Sequence, residues 1–181
     1  MRILFSTWGN YKHTLKGILL RLALFLAMMA LMRYTAAQVK TLSGGQGVLD
    51  LSILPSPAFT AAALSRFTGK ARLFYQWGFF SVDMVYVMSY CTFYRCAVRY
   101  FIGRCPVSDS TAEKLAFMPV IGGTADLLEN TVLFMMLGYG TAPAGMCAIF
   151  CLMNTVKFIF VYASLITVIL GAVYTIRHKI D

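Results

Sequence analysis

The chain contains four long runs of apolar residues, separated by polar connecting segments. A helix that crosses the hydrocarbon core of a bilayer needs about 20 mostly apolar residues. The four runs meet this length, and they cover residues 17–37, 74–98, 115–137 and 146–174. The pattern therefore predicts an all-α fold, a four-helix transmembrane bundle that forms a single integral membrane domain over residues 1–181.

One connecting segment, residues 38–73 between spans 1 and 2, is long enough to hold structure of its own. Residues 48–54 alternate apolar and polar positions, a pattern compatible with a short strand. Helical spacing then relates the apolar residues Phe59, Ala62, Ala63 and Phe67, with Arg66 and Lys70 on another side. The segment therefore predicts a small outer cap, a short amphipathic helix on the membrane surface.

The composition supports the membrane interpretation. Hydrophobic residues make up 59% of the chain and charged residues 13%, and the mean hydropathy is +0.71. A soluble globular domain is about 45–50% apolar and about 25% charged. These values exclude a soluble domain, and they exclude a disordered chain because disorder requires low hydrophobicity.

The net charge of +9 comes from 16 Lys and Arg residues against 7 Asp and Glu residues. Many of the basic residues lie near the ends of the apolar runs, so we expect no nucleic-acid binding. The basic residues of the two terminal segments and of the loop between spans 2 and 3 are Arg2, Lys12, Lys16, Arg99, Arg104, Lys114, Arg177 and Lys179. The loop at residues 138–145 has none. The positive-inside rule therefore places both termini on the inner side, cytoplasmic or matrix.

Metal and cofactor chemistry is not expected from the sequence. The two histidines, His13 and His178, lie near opposite ends of the chain. None of the five cysteines forms the C-x-x-C spacing of a zinc or redox motif. We therefore predict no metal site and no cofactor.

Four ionisable residues fall inside the predicted spans: Asp83, Asp126, Glu129 and Lys157. A charge at the centre of a bilayer costs about 2.5–3.5 kcal/mol on insertion scales, so such residues face the interior of a bundle and pair. Asp126, Glu129 and Asn130 have i, i+3 and i+4 spacing and share one helix face. The topology brings all of these groups to a similar depth. We expect one interior polar region, with Asp50 or Arg72 closing its outer mouth and Lys157, with Arg33 or Arg72, supplying positive charge.

Two interpretations of this polar region stay open. In the first, it is a buried ion-pair network that fixes helix packing and does no chemistry. In the second, it is a functional pocket in which Asp126 and Glu129 are the catalytic acid and base. The candidate substrate-binding residues of that pocket are Asp83, Asn130, Lys157, Arg72 and Asp50.

The sequence also resembles an uncharacterised family of small four-span integral membrane proteins with an Asp-x-x-Glu-Asn motif in the third span. The matching elements are Asp50, an outer helix over residues 58–67, Gly-x-x-Arg-x-x-Tyr at residues 69–75, Asp83, Asp-Leu-Leu-Glu-Asn at residues 126–130, and Lys157. The likeness covers about residues 47–170, and it departs from the family pattern where a second glycine is common near Gly69. The resemblance implies the architecture and the residue set, and it implies no reaction.

Three classes of function follow from these observations. The preferred class is an accessory or structural subunit of a membrane complex, whose partners are the lipid bilayer and either other membrane subunits or further copies of the chain. The second class is a small membrane enzyme that acts on a lipid or an isoprenoid by carboxylate acid/base chemistry. The third class is a proton-linked carrier, which would need an oligomer because four spans are few for a transport path.

Overall fold

The computed structural model describes residues 14–180, without the side chains of residues 179 and 180. The helices are α1 (Leu15–Leu42), α2 (Pro57–Leu64), α3 (Gly69–Leu73), α4 (Phe80–Ile102), α5 (Asp109–Tyr139) and α6 (Ala144–Ile180), and a π-helical segment, Phe74–Phe79, joins α3 to α4. No strand occurs in this part of the chain. The all-helical prediction is therefore confirmed for the described residues, whereas Arg2, Lys12 and His13 lie outside them.

Three helices within residues 14–180 are long and apolar enough to cross a membrane: α1, α5 and residues Ala144–His178 of α6. The chain is therefore a membrane protein. The second predicted span differs from the others, because α4 carries Asp83, Arg95 and Arg99 and does not reach the same apolarity. It also continues without a break from α3 through the π-helical segment, so the helical stretch covers residues 69–102 rather than 74–98.

The helices extend beyond the predicted spans because capping groups, rather than the limits of apolar sequence, define their ends. Helix α1 begins after Thr14, whose side chain accepts a hydrogen bond from the backbone N–H of Gly17 at 3.2 Å. The hydroxyl of Ser108 caps α5 in the same way, so α5 begins well before residue 115. It ends at Gly140, where a left-handed backbone with φ of 68° stops the helix.

Helix α5 lies at the centre of the fold, between α4 and α6, and α4 also packs against α1. Two adjacent glycines of α5 permit this close packing. A Cβ atom on Gly122 would lie 3.2 Å from the Cβ of Phe160 on α6, and one on Gly123 would overlap the sulfur of Cys91 on α4. Small residues at such positions let helix backbones approach in a membrane.

The segment between α1 and α3 differs from its prediction in two respects. Residues 48–54 form turns rather than a strand, and Leu49 and Asp50 are buried against the bundle. Helix α2 has only eight residues, none of them charged, and it ends before Phe67. The prediction of an amphipathic helix was therefore wrong, because Arg66 and Lys70 lie beyond its end and give it no charged face.

Candidate functional site

Seven polar residues from three helices and one loop lie together inside the bundle, and we call them the polar cluster. They are Asp50 from the loop, Asp83 from α4, Asp126, Glu129 and Asn130 from α5, and Asn154 and Lys157 from α6. Each is at most 6% exposed. Buried polar groups at this depth require partners, and every member has at least one within the cluster or beside it.

Lys157 joins the loop to α5. Its Nζ lies 2.6 Å from Oε2 of Glu129 and 3.3 Å from Oδ1 of Asp126. The same ammonium group donates a hydrogen bond of 3.0 Å to the backbone carbonyl of Asp50. One cation therefore compensates two carboxylates and also fixes the position of the loop.

Asn154 is a member of the cluster that the sequence analysis missed. Its amide nitrogen donates to Oε1 of Glu129 at 2.9 Å and is 3.3 Å from the backbone carbonyl of Asp50. Asn154 precedes Lys157 by three residues, so the two side chains share one face of α6. That spacing was the signal available in the sequence. The carbonyl oxygen of the Asn154 side chain is buried without a hydrogen-bond partner among the described residues.

Asn130 connects α4 with α5. Its amide nitrogen donates to Oδ2 of Asp83, and also to Oδ1 of Asp126 at 3.2 Å. The other oxygen of Asp126 accepts a hydrogen bond of 2.9 Å from the hydroxyl of Tyr90, which the sequence analysis also missed. Asp126 is thus bonded to groups from α4, α5 and α6.

The loop is fixed to the cluster through Tyr75, the last residue of the Gly-x-x-Arg-x-x-Tyr element. The hydroxyl of Tyr75 accepts a hydrogen bond of 2.6 Å from the backbone N–H of Leu49 and donates one of 2.9 Å to Oδ1 of Asp50. Burial raises the pKa of Asp50, against the opposing effects of Lys157 and the Tyr75 hydrogen bond. A raised pKa in the folded state means that the contribution of Asp50 to stability is lost as pH rises.

Arg72 and Arg33 do not join the cluster. The guanidinium of Arg72 donates hydrogen bonds to the backbone carbonyls of Leu137 and Gly138, in the last turn of α5. A cation at this position interacts favourably with the helix dipole and satisfies carbonyls that lack helical partners. Arg33 is exposed on α1. The cluster thus contains Asp50 from the predicted closing pair but lacks Arg72.

The cluster contains four carboxyl groups and, among the described residues, Lys157 is the one cation that pairs with them. Four ionised carboxylates and one ammonium would carry a net charge of −3. The set is neutral only when three of the carboxyl groups hold a proton. Because an uncompensated buried charge is costly, the excess of carboxyl groups over cations is the main electrostatic feature of the cluster.

Little space adjoins the cluster itself. Asn130 borders a small cavity of about 10 Å³ beside Tyr75 and Phe134. A larger groove of about 370 Å³ lies between α5 and α6, and its lining includes Ala125 and Val156, the neighbours in sequence of Asp126 and Lys157. Among residues 14–180, no group of three His, Cys, Asp or Glu side chains is arranged to hold a metal ion.

The fold and the cluster together define an all-helical membrane protein with a buried network of carboxyl, amide and ammonium groups. Comparison of the chain with family models, with curated proteins and with solved structures gives no match. The resemblance to the four-span family therefore stays a prediction, and the argument for function depends on the geometry of the cluster.

Proposed function

We propose that the chain is a four-span integral membrane protein that serves as an accessory or structural subunit of a membrane complex. In this proposal the polar cluster fixes the packing of the spans and of the outer cap. Membership of the four-span family that carries Asp-x-x-Glu-Asn in its third span is part of the same proposal. The partners are other membrane subunits or further copies of the chain, within a lipid bilayer.

The length and burial of α4 support its role as the fourth span. Its 23 residues extend about 34 Å at 1.5 Å per residue, more than the hydrocarbon core of about 30 Å. The acidic residue of α4 is directed inward, since Asp83 is only 2% exposed, and Arg99 near its end pairs with Glu113. Four antiparallel spans then bring the two ends of the chain to the same side of the membrane.

The distribution of basic residues supports an inner position for that side. Arg99, Arg104 and Lys114 lie at or beside the loop between α4 and α5, whereas the connection between α5 and α6 has no basic residue. We therefore expect a membrane-impermeant thiol reagent to label Cys105, in the α4–α5 loop, only after the membrane is opened. Mass spectrometry of vesicles of known orientation checks this. Labelling of Cys105 in sealed vesicles with the outer surface exposed would reverse the topology.

The single observation that carries the structural role is the mutual bonding of the cluster. Glu129 and Asn154 are fully buried, and their contacts go to each other, to Lys157 and to the backbone of Asp50. Side chains that are bonded to one another in this way join elements of the fold, and their burial keeps them from direct contact with a molecule outside the bundle. Such networks can set helix register and specificity at a cost in stability.

The surfaces of α1 and α6 support a role in assembly. Both helices leave most of their apolar side chains outside the fold, including Leu20 at 73% exposure and Leu170 at 64%. Surfaces of this type face lipid, and they are also available to the spans of other subunits. The outer cap, with α2 at its centre, adds a further apolar surface that includes Phe59, which is 47% exposed.

The change Glu129→Gln tests the structural role. A glutamine retains the acceptor oxygen, and its amide can donate to the unpartnered side-chain oxygen of Asn154 once that group rotates. We expect the variant to insert, to unfold within about 1 kcal/mol of the wild type, and to keep the size of its assembly, because Asp126 still compensates Lys157 and the cluster loses only one of its excess carboxyl groups. Thermal unfolding in detergent and native gel electrophoresis of solubilised membranes measure these properties.

Glu129→Ala is the matched control, because it removes the same charge and also removes the acceptor oxygens that Asn154 and Lys157 use at position 129, which glutamine keeps in part. We expect this control to lose stability and assembly. If Glu129→Gln assembles normally but cells that depend on the protein lose its activity by about a hundredfold, the scale of a general acid or base, the structural role is wrong.

A membrane enzyme acting on a lipid is the second candidate. Two observations favour it: the cluster holds three more carboxyl groups than cations, and an apolar groove is lined by Ala125 and Val156, the sequence neighbours of Asp126 and Lys157. In that case Asp126 or Glu129 would transfer the proton, and Asn130 and Lys157 would orient the substrate. The Glu129→Gln experiment separates this candidate from the structural role.

A further inference from the structure

The groove between α5 and α6 has features beyond its apolar lining. From α5 it is lined by residues that include Phe117, Ile121, Thr124 and Leu128, and α6 contributes Met153 and Val156. Thr124 is the polar residue of this lining, and its hydroxyl donates to the backbone carbonyl of Val120 at 2.9 Å. The groove therefore offers an apolar surface with no free hydroxyl donor.

The length of the groove matches one half of a bilayer. Phe117 and Leu128 are eleven residues apart, which is about 16 Å along a helix. One leaflet of the hydrocarbon core is about 15 Å thick. The groove thus has the reach of one lipid acyl chain from the headgroup boundary to the bilayer centre.

Lys114 supplies a positive charge at one end of the face of α5 that lines the groove. Lys114 precedes Phe117 by three residues, and the positions 114, 117, 121, 124 and 128 follow one face of α5. Lys114 is exposed. Its neighbour Glu113 is paired with Arg99 of α4 and does not neutralise it. A lysine near a membrane surface attracts anionic lipid headgroups by about 1 kcal/mol.

We propose that this groove binds one acyl chain of an anionic phospholipid, from the leaflet on the side of the α4–α5 loop, with its headgroup held by Lys114. The site is separate from the polar cluster and does not depend on the function proposed for it. Such a ligand requires an apolar lining for the acyl chain, a groove as long as one leaflet, and a cation at the headgroup end.

The test uses the full chain in phosphatidylcholine vesicles that contain a photoreactive diazirine lipid, either phosphatidylglycerol or phosphatidylcholine. Mass spectrometry maps the labelled peptides. We expect the anionic lipid to label residues 117–128 and 153–156 about fivefold more than the zwitterionic lipid does, which is the effect of one lysine near a membrane surface. The variant Lys114→Gln should remove the difference, whereas Lys70→Gln, at an exposed lysine near the other end of the bundle, should preserve it.

Thr124→Phe tests the groove itself, because a phenyl ring would obstruct its middle and the lost hydroxyl served only its own helix. We expect this variant to lose labelling by both lipids. Thr131→Phe is the matched control, since Thr131 is exposed on the same helix outside the groove lining and its hydroxyl also bonds one turn back. Circular dichroism verifies that both variants fold.

Three outcomes would overturn the proposal. Equal labelling by the two lipids excludes headgroup recognition by Lys114. Labelling spread evenly over α1, α5 and α6 excludes a defined site. Absence of labelling in the groove, together with a change in oligomeric state for Thr124→Phe but not for Thr131→Phe, shows that a second copy of the chain covers it.

Discussion

Replacement of Lys157 by leucine is expected to lower the free energy of unfolding by about 3–5 kcal/mol, the usual cost of breaking a buried ion pair from one side. The ammonium group is within 3.3 Å of Glu129, Asp126 and the backbone carbonyl of Asp50. Leucine fills much of the same volume but compensates none of these groups. Denaturant unfolding in mixed micelles, followed by circular dichroism, measures the loss.

A double-mutant cycle separates the electrostatic cost from a change in packing. In the Glu129→Gln background one of the two carboxylates is absent, so Lys157→Leu should cost less there, by about 0.5–3 kcal/mol. Lys16→Leu, at an exposed lysine, is the control and should change stability little. An equal cost for Lys157→Leu in both backgrounds would show that the cost does not come from the ion pair with Glu129.

The apolar runs of the sequence predicted the long helices because the bilayer imposes both their length and their helical form. The ends of the helices were predicted less accurately than their presence. Ser108 and Gly140 determine the limits of α5, and these caps lie outside the apolar run at residues 115–137. Helix α4 was hardest to delimit, because its inward-facing Asp83 lowers its apolarity although the side chain never meets lipid.

Much of the polar cluster was predictable because an ionised group in a membrane is costly, which makes Asp83, Asp126, Glu129 and Lys157 conspicuous in the sequence. Asn154 was missed, and so were the hydroxyls of Tyr75 and Tyr90, which bond to Asp50 and Asp126 from beside the cluster. An amide or a phenol carries a smaller insertion cost, so its type alone does not mark it as buried. Such a residue can be predicted only from its spacing relative to a charged one. Asn154 lies three residues before Lys157 and therefore shares its helix face.

Arg72 shows the limit of reasoning from charge alone. The excess of carboxylates in the spans made an arginine at the end of the cap a natural counter-charge. The structure instead pairs Arg72 with the carbonyls of Leu137 and Gly138, which the end of α5 leaves without helical partners. The sequence does not reveal whether Arg72 lies nearer to the carboxylates of the cluster or to the backbone carbonyls at the end of α5. That depends on how α3 is placed relative to the end of α5.

The change Tyr75→Phe removes one oxygen atom and is expected to release the loop over residues 43–56 from the bundle. The hydroxyl accepts from the N–H of Leu49 and donates to Asp50, and all three residues are at most 2% exposed. Without it, a buried donor and a buried carboxyl oxygen lose a partner, at a cost of about 1–3 kcal/mol for each group. Hydrogen–deuterium exchange of the loop, together with unfolding in detergent, measures the effect.

Two comparisons isolate the hydroxyl as the cause. The ring contacts of Tyr75 with Phe67 and Phe79, at centroid distances of 5.0 and 5.3 Å, are available to phenylalanine as well, so packing is preserved. Tyr139→Phe, at a side chain that is 72% exposed, should leave exchange and stability unchanged. Because the carbonyl of Asp50 also accepts from Lys157 and Asn154, a released loop should expose the cluster and speed exchange in α6 near residue 154. Faster exchange in the loop alone would show instead that the cluster holds the spans together without the cap.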